Sequence, residues 1–110
     1  MKVGIIRCQQ TEDFCPGITD FVVAKKNKGV FEQFSEPIKI VAFNSCGGCP
    51  GKKSVTRAET MVNRGVEAIV LASCITKGSP IGFACPHKEQ MISSIKKHIG
   101  EKAILLEWTH

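Results

Sequence analysis

Four short apolar runs, separated by segments with helical spacing, constrain this chain more than any other feature in it. Val3, Gly4, Ile5 and Ile6, within Lys2 to Arg7, form a continuous run of the kind that becomes a strand buried on both faces. Ile38 to Phe43, Val66 to Ala72 and Ala103 to Leu106 repeat the signal with little polar alternation. Between them lie three segments that read as helices. The first begins at Ile18 or Thr19 with Asp20 in its first turn, where a negative charge suits the helix dipole. Phe21, Ala24, Phe31 and Phe34 share one face of it, with Gly29 as its weak point. The second spans about Lys52 to Arg64, with Ala58, Met61 and Val62 as its apolar stripe and Gly65 as its stop. The third spans His87 to Ile99, with Met91, Ile92, Ile95 and Ile99 on one side and Gly100 after it. Cys8 to Gly17 and Ser73 to Phe83 read as loops.

Strands alternating with helices specify β-α-β units, hence a parallel sheet with helices on both faces. Right-handed crossovers through four strands give a three-layer α/β sandwich with the flavodoxin-like order 2-1-3-4. A chain of 110 residues supplies one core, so residues 1–110 are expected to form one domain. Open sheets of this type bind ligands beyond the carboxyl ends of their strands, where the strand order reverses. That point lies between strands 1 and 2 on one side and strand 3 on the other.

The six cysteines converge on this edge. Cys8, Cys46 and Cys74 stand at or just beyond the ends of strands 1, 2 and 3. Cys15, Cys49 and Cys85 each precede a proline where a loop turns toward a helix. Proline suits the first helical position, so each pair predicts a helix start with a thiol at its mouth. Cys46-Gly47-Gly48-Cys49 is a C-x-x-C whose glycines permit a sharp turn, a spacing that serves one metal ion or a redox pair. Cys85-Pro86-His87 adds a thiol and an imidazole, and His110 follows strand 4 at the same edge. Several chemistries use such a set. A zinc site with a separate thiol pair is one, and an iron–sulfur cluster on four cysteines is another. A third is metal-free disulfide exchange through Cys46 and Cys49. A fourth makes Cys46 a nucleophile for an oxyanion, with Lys52 as anion clamp, because Cys46 to Lys52 matches C-x5-K. Cysteine phosphatases use arginine at that position, and lysine lacks its planar fork. The segment from Gly47 to Ser54 does not give a nucleotide phosphate loop in register.

The net charge of +5 comes from scattered lysines, and no nucleic-acid module is present, so nucleic acid is not the expected partner. Met1-Lys2 leads directly into a strand with no signal-peptide core. No apolar run reaches the roughly 18 residues a membrane span needs. A cytoplasmic location is therefore expected, where a metal ion and a protein or redox partner account for the thiols better than structural disulfides do.

Taken together, Arg7-Cys8, Cys15-Pro16-Gly17, Cys46-Gly47-Gly48-Cys49-Pro50-Gly51, Ser73-Cys74 and Cys85-Pro86-His87 resemble the CGGC-domain proteins. These form a small prokaryotic family regarded as metal-binding, with zinc suggested by their cysteines and histidines. The resemblance covers essentially the whole chain. It implies a metal held by a subset of Cys8, Cys15, Cys46, Cys49, Cys74, Cys85 and His87, and it implies no established reaction.

Overall fold

The two most continuous apolar runs become the two inner strands. The computed structural model describes all of residues 1–110. β1 (Lys2–Arg7), β2 (Lys39–Ser45), β3 (Ala68–Leu71) and β4 (Ile104–Leu106) form one parallel sheet in the order β2-β1-β3-β4. Val3, Ile5 and Ile6 of β1 and Ala68, Ile69, Val70 and Leu71 of β3 are fully buried, because helices cover both faces of these strands. β2 lies at an edge and alternates, leaving Val41 exposed. The three-residue β4 closes the other edge.

α1 (Ile18–Lys25) lies against β2. α2 (Lys53–Asn63) lies against β1 and β3 and packs on α4 (Lys88–Ile99). The right-handed crossover from β1 to β2 runs in the opposite direction to those from β2 to β3 and β3 to β4. α1 therefore takes one face of the sheet, and α2 and α4 take the other. The result is the three-layer, flavodoxin-like arrangement expected from the sequence. No helix is long and apolar enough to cross a membrane.

Three local expectations need correction. The first helix does not continue to Phe34. α1 ends at Lys25, Asn27 and Gly29 take positive φ values of 50° and 56°, and a 3-10 turn over Gly29–Gln33 follows. The Asn27 side chain donates to the carbonyls of Phe34 and Glu36 at 3.1 and 2.9 Å, which fixes this corner. Phe31 thus reaches the core from the turn, whereas Phe21 is half exposed on α1. The Cys-Pro pairs precede their helices without capping them: α2 starts at Lys53 and α4 at Lys88, each after a short turn. Finally, the stretch after β3 opens with one turn of helix, α3 (Ser73–Thr76).

α2 approaches β1 closely at Gly4, where an added Cβ would lie 2.6 Å from the Met61 sulfur. Gly4→Ala is expected to destabilise the fold by about 1–3 kcal/mol through overpacking, read as a lowered denaturant midpoint. In a Met61→Ala background the added loss from Gly4→Ala should be smaller, since the clash is with that side chain.

Candidate functional site

The carboxyl edge of the sheet does receive all the strand-end thiols, but the structure divides them. All six cysteines are free. Cys46 and Cys74 are buried, Cys49 is exposed, and Cys8, Cys15 and Cys85 are partly covered. No three cysteine, histidine, aspartate or glutamate side chains converge closely enough to hold a metal ion. This overturns the expectation of a zinc or iron–sulfur site on Cys8, Cys15, Cys46, Cys49, Cys74, Cys85 and His87, and with it the metal ion as partner.

Each sulfur has been drawn into a separate local arrangement. The Cys74 sulfur accepts the Cys8 amide at 3.2 Å. The Cys85 sulfur accepts the amide of His87, two residues on, at 3.4 Å, in the turn that leads into α4. In the C-G-G-C loop, Gly47 and Gly48 both have positive φ, leaving Cys46 in the core and Cys49 in solvent. The disulfide-exchange and oxyanion alternatives fare no better, since Cys46 is buried while Cys49 is exposed, and the two do not form a shared thiol site. Lys52 lines a recess with Glu59 and His98 between α2 and α4, and Cys46 is not part of its wall.

Two of the thiols do meet in a cavity. A cleft of about 410 Å3 opens at the carboxyl ends of β1 and β3, the place where the strand order reverses. Phe14, Ile18 and Pro80 supply its apolar walls. Cys15, Cys74, Asp20 and His110 supply its polar groups. Asp20 sits in the first turn of α1 and is 3% exposed, and its Oδ1 has no hydrogen-bond partner. The His110 ring lies beside it, with Nε2 3.5 Å from that oxygen. This separation is too long for a formed N–H···O bond, so Asp20 Oδ1 is a buried acceptor without a bonded donor, facing the imidazole.

His110 is held through its backbone. The Ser73 hydroxyl accepts from the amides of Thr109 and His110 at 3.1 and 3.0 Å, and it donates to the His110 carbonyl at 3.1 Å. The Ser73 amide donates to the Thr109 hydroxyl at 3.1 Å, and Lys77 Nζ donates to the His110 carbonyl at 3.0 Å. The start of α3 therefore fastens the 109–110 segment beside Cys74. In the sequence, Asp20 carried only a helix-start signal, Ser73 only its place in the Ser73-Cys74 motif, and Thr109 none. Their roles depend on pairings across 36 residues, which no local pattern displays.

Burial pushes the Cys74 thiol above its ordinary value, against the opposing influence of the Cys8 amide, the Thr11 hydroxyl and the Arg7 charge. Burial also raises the Cys85 thiol, with the His87 amide opposing and the thiolate forms of Cys49, Cys8 and Cys46 adding to the rise. Both thiols hold their protons more tightly in the folded chain than in the unfolded one. Their contribution to stability is complete below the unfolded value of 9.0 and is lost as pH rises through the folded values. Urea midpoints are expected to fall as pH rises above about 9. Cys74→Ala should flatten that decline, and an unchanged slope would show that Cys74 ionisation is not coupled to unfolding.

The sequence profile of the CGGC domain matches residues 2–110. An uncharacterized protein of Methanocaldococcus jannaschii is 38% identical over 80 residues, which cover 67% of this chain and 62% of the relative. The chain thus spans less than two thirds of that relative's length. A second uncharacterized protein of the same organism is 31% identical over 62 residues, covering 56% of this chain and 88% of the relative. No solved structure matches the chain.

Proposed function

The chain belongs to the CGGC domain family, and from that premise we propose that it is a thiol-dependent small-molecule domain working in the β1/β3 cleft. The observation that carries this reading is the acceptor oxygen of Asp20, buried and unbonded in the wall of an otherwise largely apolar cavity beside Cys74. A buried polar atom without a partner is costly, about 1–3 kcal/mol, and a ligand donor group would remove that cost. The ligand class that fits is a small, mainly apolar molecule bearing an ammonium or hydroxyl donor. Phe14, Ile18 and Pro80 would cover its body, and Asp20 would take its donor.

Cys74 is the proposed nucleophile, and His110 is the proposed acceptor of its proton. Of the three imidazoles, His110 is the one that lines this cleft. The step is a displacement or addition by sulfur. The S–H bond breaks, its proton passes to the imidazole, and the sulfur electron pair forms a bond to the electrophilic carbon.

The test uses two chloroacetamides with a benzyl ring, one of which also carries a primary amine. Sulfur displaces chloride, which leaves with its bonding electrons. Tryptic cleavage yields Gly65 to Lys77, which contains Cys74 as its only cysteine, so labelling there is read directly by mass. The amine-bearing reagent is expected to label Cys74 saturably and about tenfold faster than its amine-free counterpart. Asp20→Asn should erase that preference. Cys46→Ser with Cys49→Ser should leave it intact. Non-saturable labelling with no amine preference would overturn the proposal.

A further inference from the structure

α1 turns one side toward the sheet and leaves the other without a partner. Val23 and Ala24 pack into the core, and Asp20 is buried on the same side. The opposite side carries Ile18, Phe21 and Val22 at helical spacing, and Phe14 lies beside Ile18 in the cleft wall. Phe14 and Ile18 are 69% and 66% exposed, and Phe21 and Val22 are 43% and 42% exposed. Single exposed apolar side chains are ordinary on a protein surface, but a contiguous group of large ones marks a contact. The cleft accounts for only part of this group, since neither Phe21 nor Val22 is in its wall. Phe21 is also held in place, its ring centroid 5.2 Å from that of Phe43, so covering it orders no loose side chain.

The two ends of this patch carry opposite charge. Glu12 and Asp13, both exposed, stand before it, and Lys25, Lys26 and Lys28, all exposed, stand at the end of α1 and just beyond. None of these side chains has an ion-pair partner within the chain, whose acid–base pairs are Met1 with Glu36, Lys96 with Glu107, and His110 with Asp20. The surface therefore reads acidic, apolar, basic along one line, an order that is complementary to itself when reversed. An anionic membrane or an acidic protein would match the lysine end and be repelled by Glu12 and Asp13. A second copy turned end for end matches both ends at once, and it also sets the two helix dipoles antiparallel.

We propose that this face of α1 is the docking surface for a second copy of the chain, with the two α1 helices antiparallel about a two-fold axis. Asp20 is the midpoint in sequence of the apolar pair Ile18 and Val22, and also of the charged pair Glu12 and Lys28. One axis at the level of Asp20 therefore satisfies both pairs. It sets Ile18 on the partner's Val22, brings Phe21 beside the partner's Phe21, and places Glu12 and Asp13 opposite the partner's Lys28 and Lys26. The patch is small, so the association is weak, with a Kd of about 10–100 μM. The dimer stands independently of which thiol reacts in the cleft.

Sedimentation equilibrium of the intact chain, from about 5 to about 500 μM, is the experiment. The mass is expected to rise from 12.0 kDa toward about twice that value. Val22→Asp should raise the Kd by about tenfold or more, because it buries a carboxylate in the apolar centre of the contact. Two charge variants then test the orientation. Glu12→Lys with Asp13→Lys makes both ends basic, and Lys26→Glu with Lys28→Glu makes both ends acidic. Each alone should self-associate about tenfold more weakly than the wild type, and an equal mixture of the two should form a one-to-one dimer at least as tight as the wild type.

A wild type that stays at 12.0 kDa up to about 500 μM overturns the proposal. A dimer indifferent to Val22→Asp also overturns it, by placing the contact elsewhere. Charge variants that do not recover on mixing overturn the antiparallel arrangement. A monomeric wild type that binds vesicles of phosphatidylcholine and phosphatidylserine would make the patch a lipid contact instead. Should Val22→Asp unfold, the mixing experiment decides alone, since its four substitutions fall at exposed positions.

Discussion

Replacing Ser73 with alanine is expected to lower stability by about 2–4 kcal/mol and to release His110 from the cleft. Ser73 is fully buried, and its hydroxyl is the acceptor for two backbone amides and the donor to one carbonyl. Alanine removes these three bonds and the one the Ser73 hydroxyl accepts from the Thr109 hydroxyl at 3.2 Å. The Thr109 amide would be left buried with no acceptor, and an orphaned buried donor costs more than the net worth of the bond it lost. The remaining ties to the segment are the Ser73 amide to the Thr109 hydroxyl, the Val30 amide to the Thr109 carbonyl, and Lys77 to the His110 carbonyl. These hold the backbone of Thr109 better than they hold the imidazole. Urea unfolding gives the stability change. Proton exchange at the His110 ring, followed by NMR, reports its release. An unchanged midpoint would mean that the hydroxyl bonds contribute nothing net over water.

Gly29→Ala carries the second large effect, from the opposite side of the same segment. Gly29 has φ of 56°, and a Cβ there would overlap the Thr109 carbonyl oxygen. The left-handed conformation costs a non-glycine residue about 1–2 kcal/mol. The overlap is with backbone, so relief requires the 109–110 segment to shift, for a further cost of about 1–3 kcal/mol. The expected sum is a loss of about 2–5 kcal/mol, with loss of amine-selective labelling at Cys74. Ser73→Ala and Gly29→Ala act on one segment, so the double variant should be less destabilised than the two single losses added, by roughly 1 kcal/mol. Strict additivity would show that Gly29 and Ser73 support different structures.

The fold was open to inspection because its main determinants are local. Ile5, Ile6, Ile69 and Leu71 lie in uninterrupted apolar runs, and such runs become inner strands wherever both faces are covered. Handedness then leaves few orders for four strands. The first helix was overextended because Phe31 and Phe34 keep the helical period by coincidence. The positive φ of Asn27 is a backbone choice, stabilised by two carbonyls that only the folded corner supplies.

The edge that carries the thiols was equally legible. Their grouping was not. Cys15 and Cys74 share a cleft because α1 and the segment after β4 both arrive there, whereas Cys46, equally close to a strand end, is turned into the core by the two glycines that follow it. C-x-x-C spacing fixes how near two sulfurs lie along the chain. It does not fix which way the loop points them.

The clamp around Ser73 also bears on the order in which the protein becomes competent. β1, α1 and β2 are neighbours in the chain and can assemble among themselves. The cleft cannot, because Cys74 lies 66 residues from the amide that bonds its sulfur, and His110 is fixed 37 residues beyond Ser73. Contacts of such long sequence separation form late. A partly folded chain would hold six thiols with none of them organised for reaction, so on the proposed reading chemical competence arrives only with the last long-range contacts.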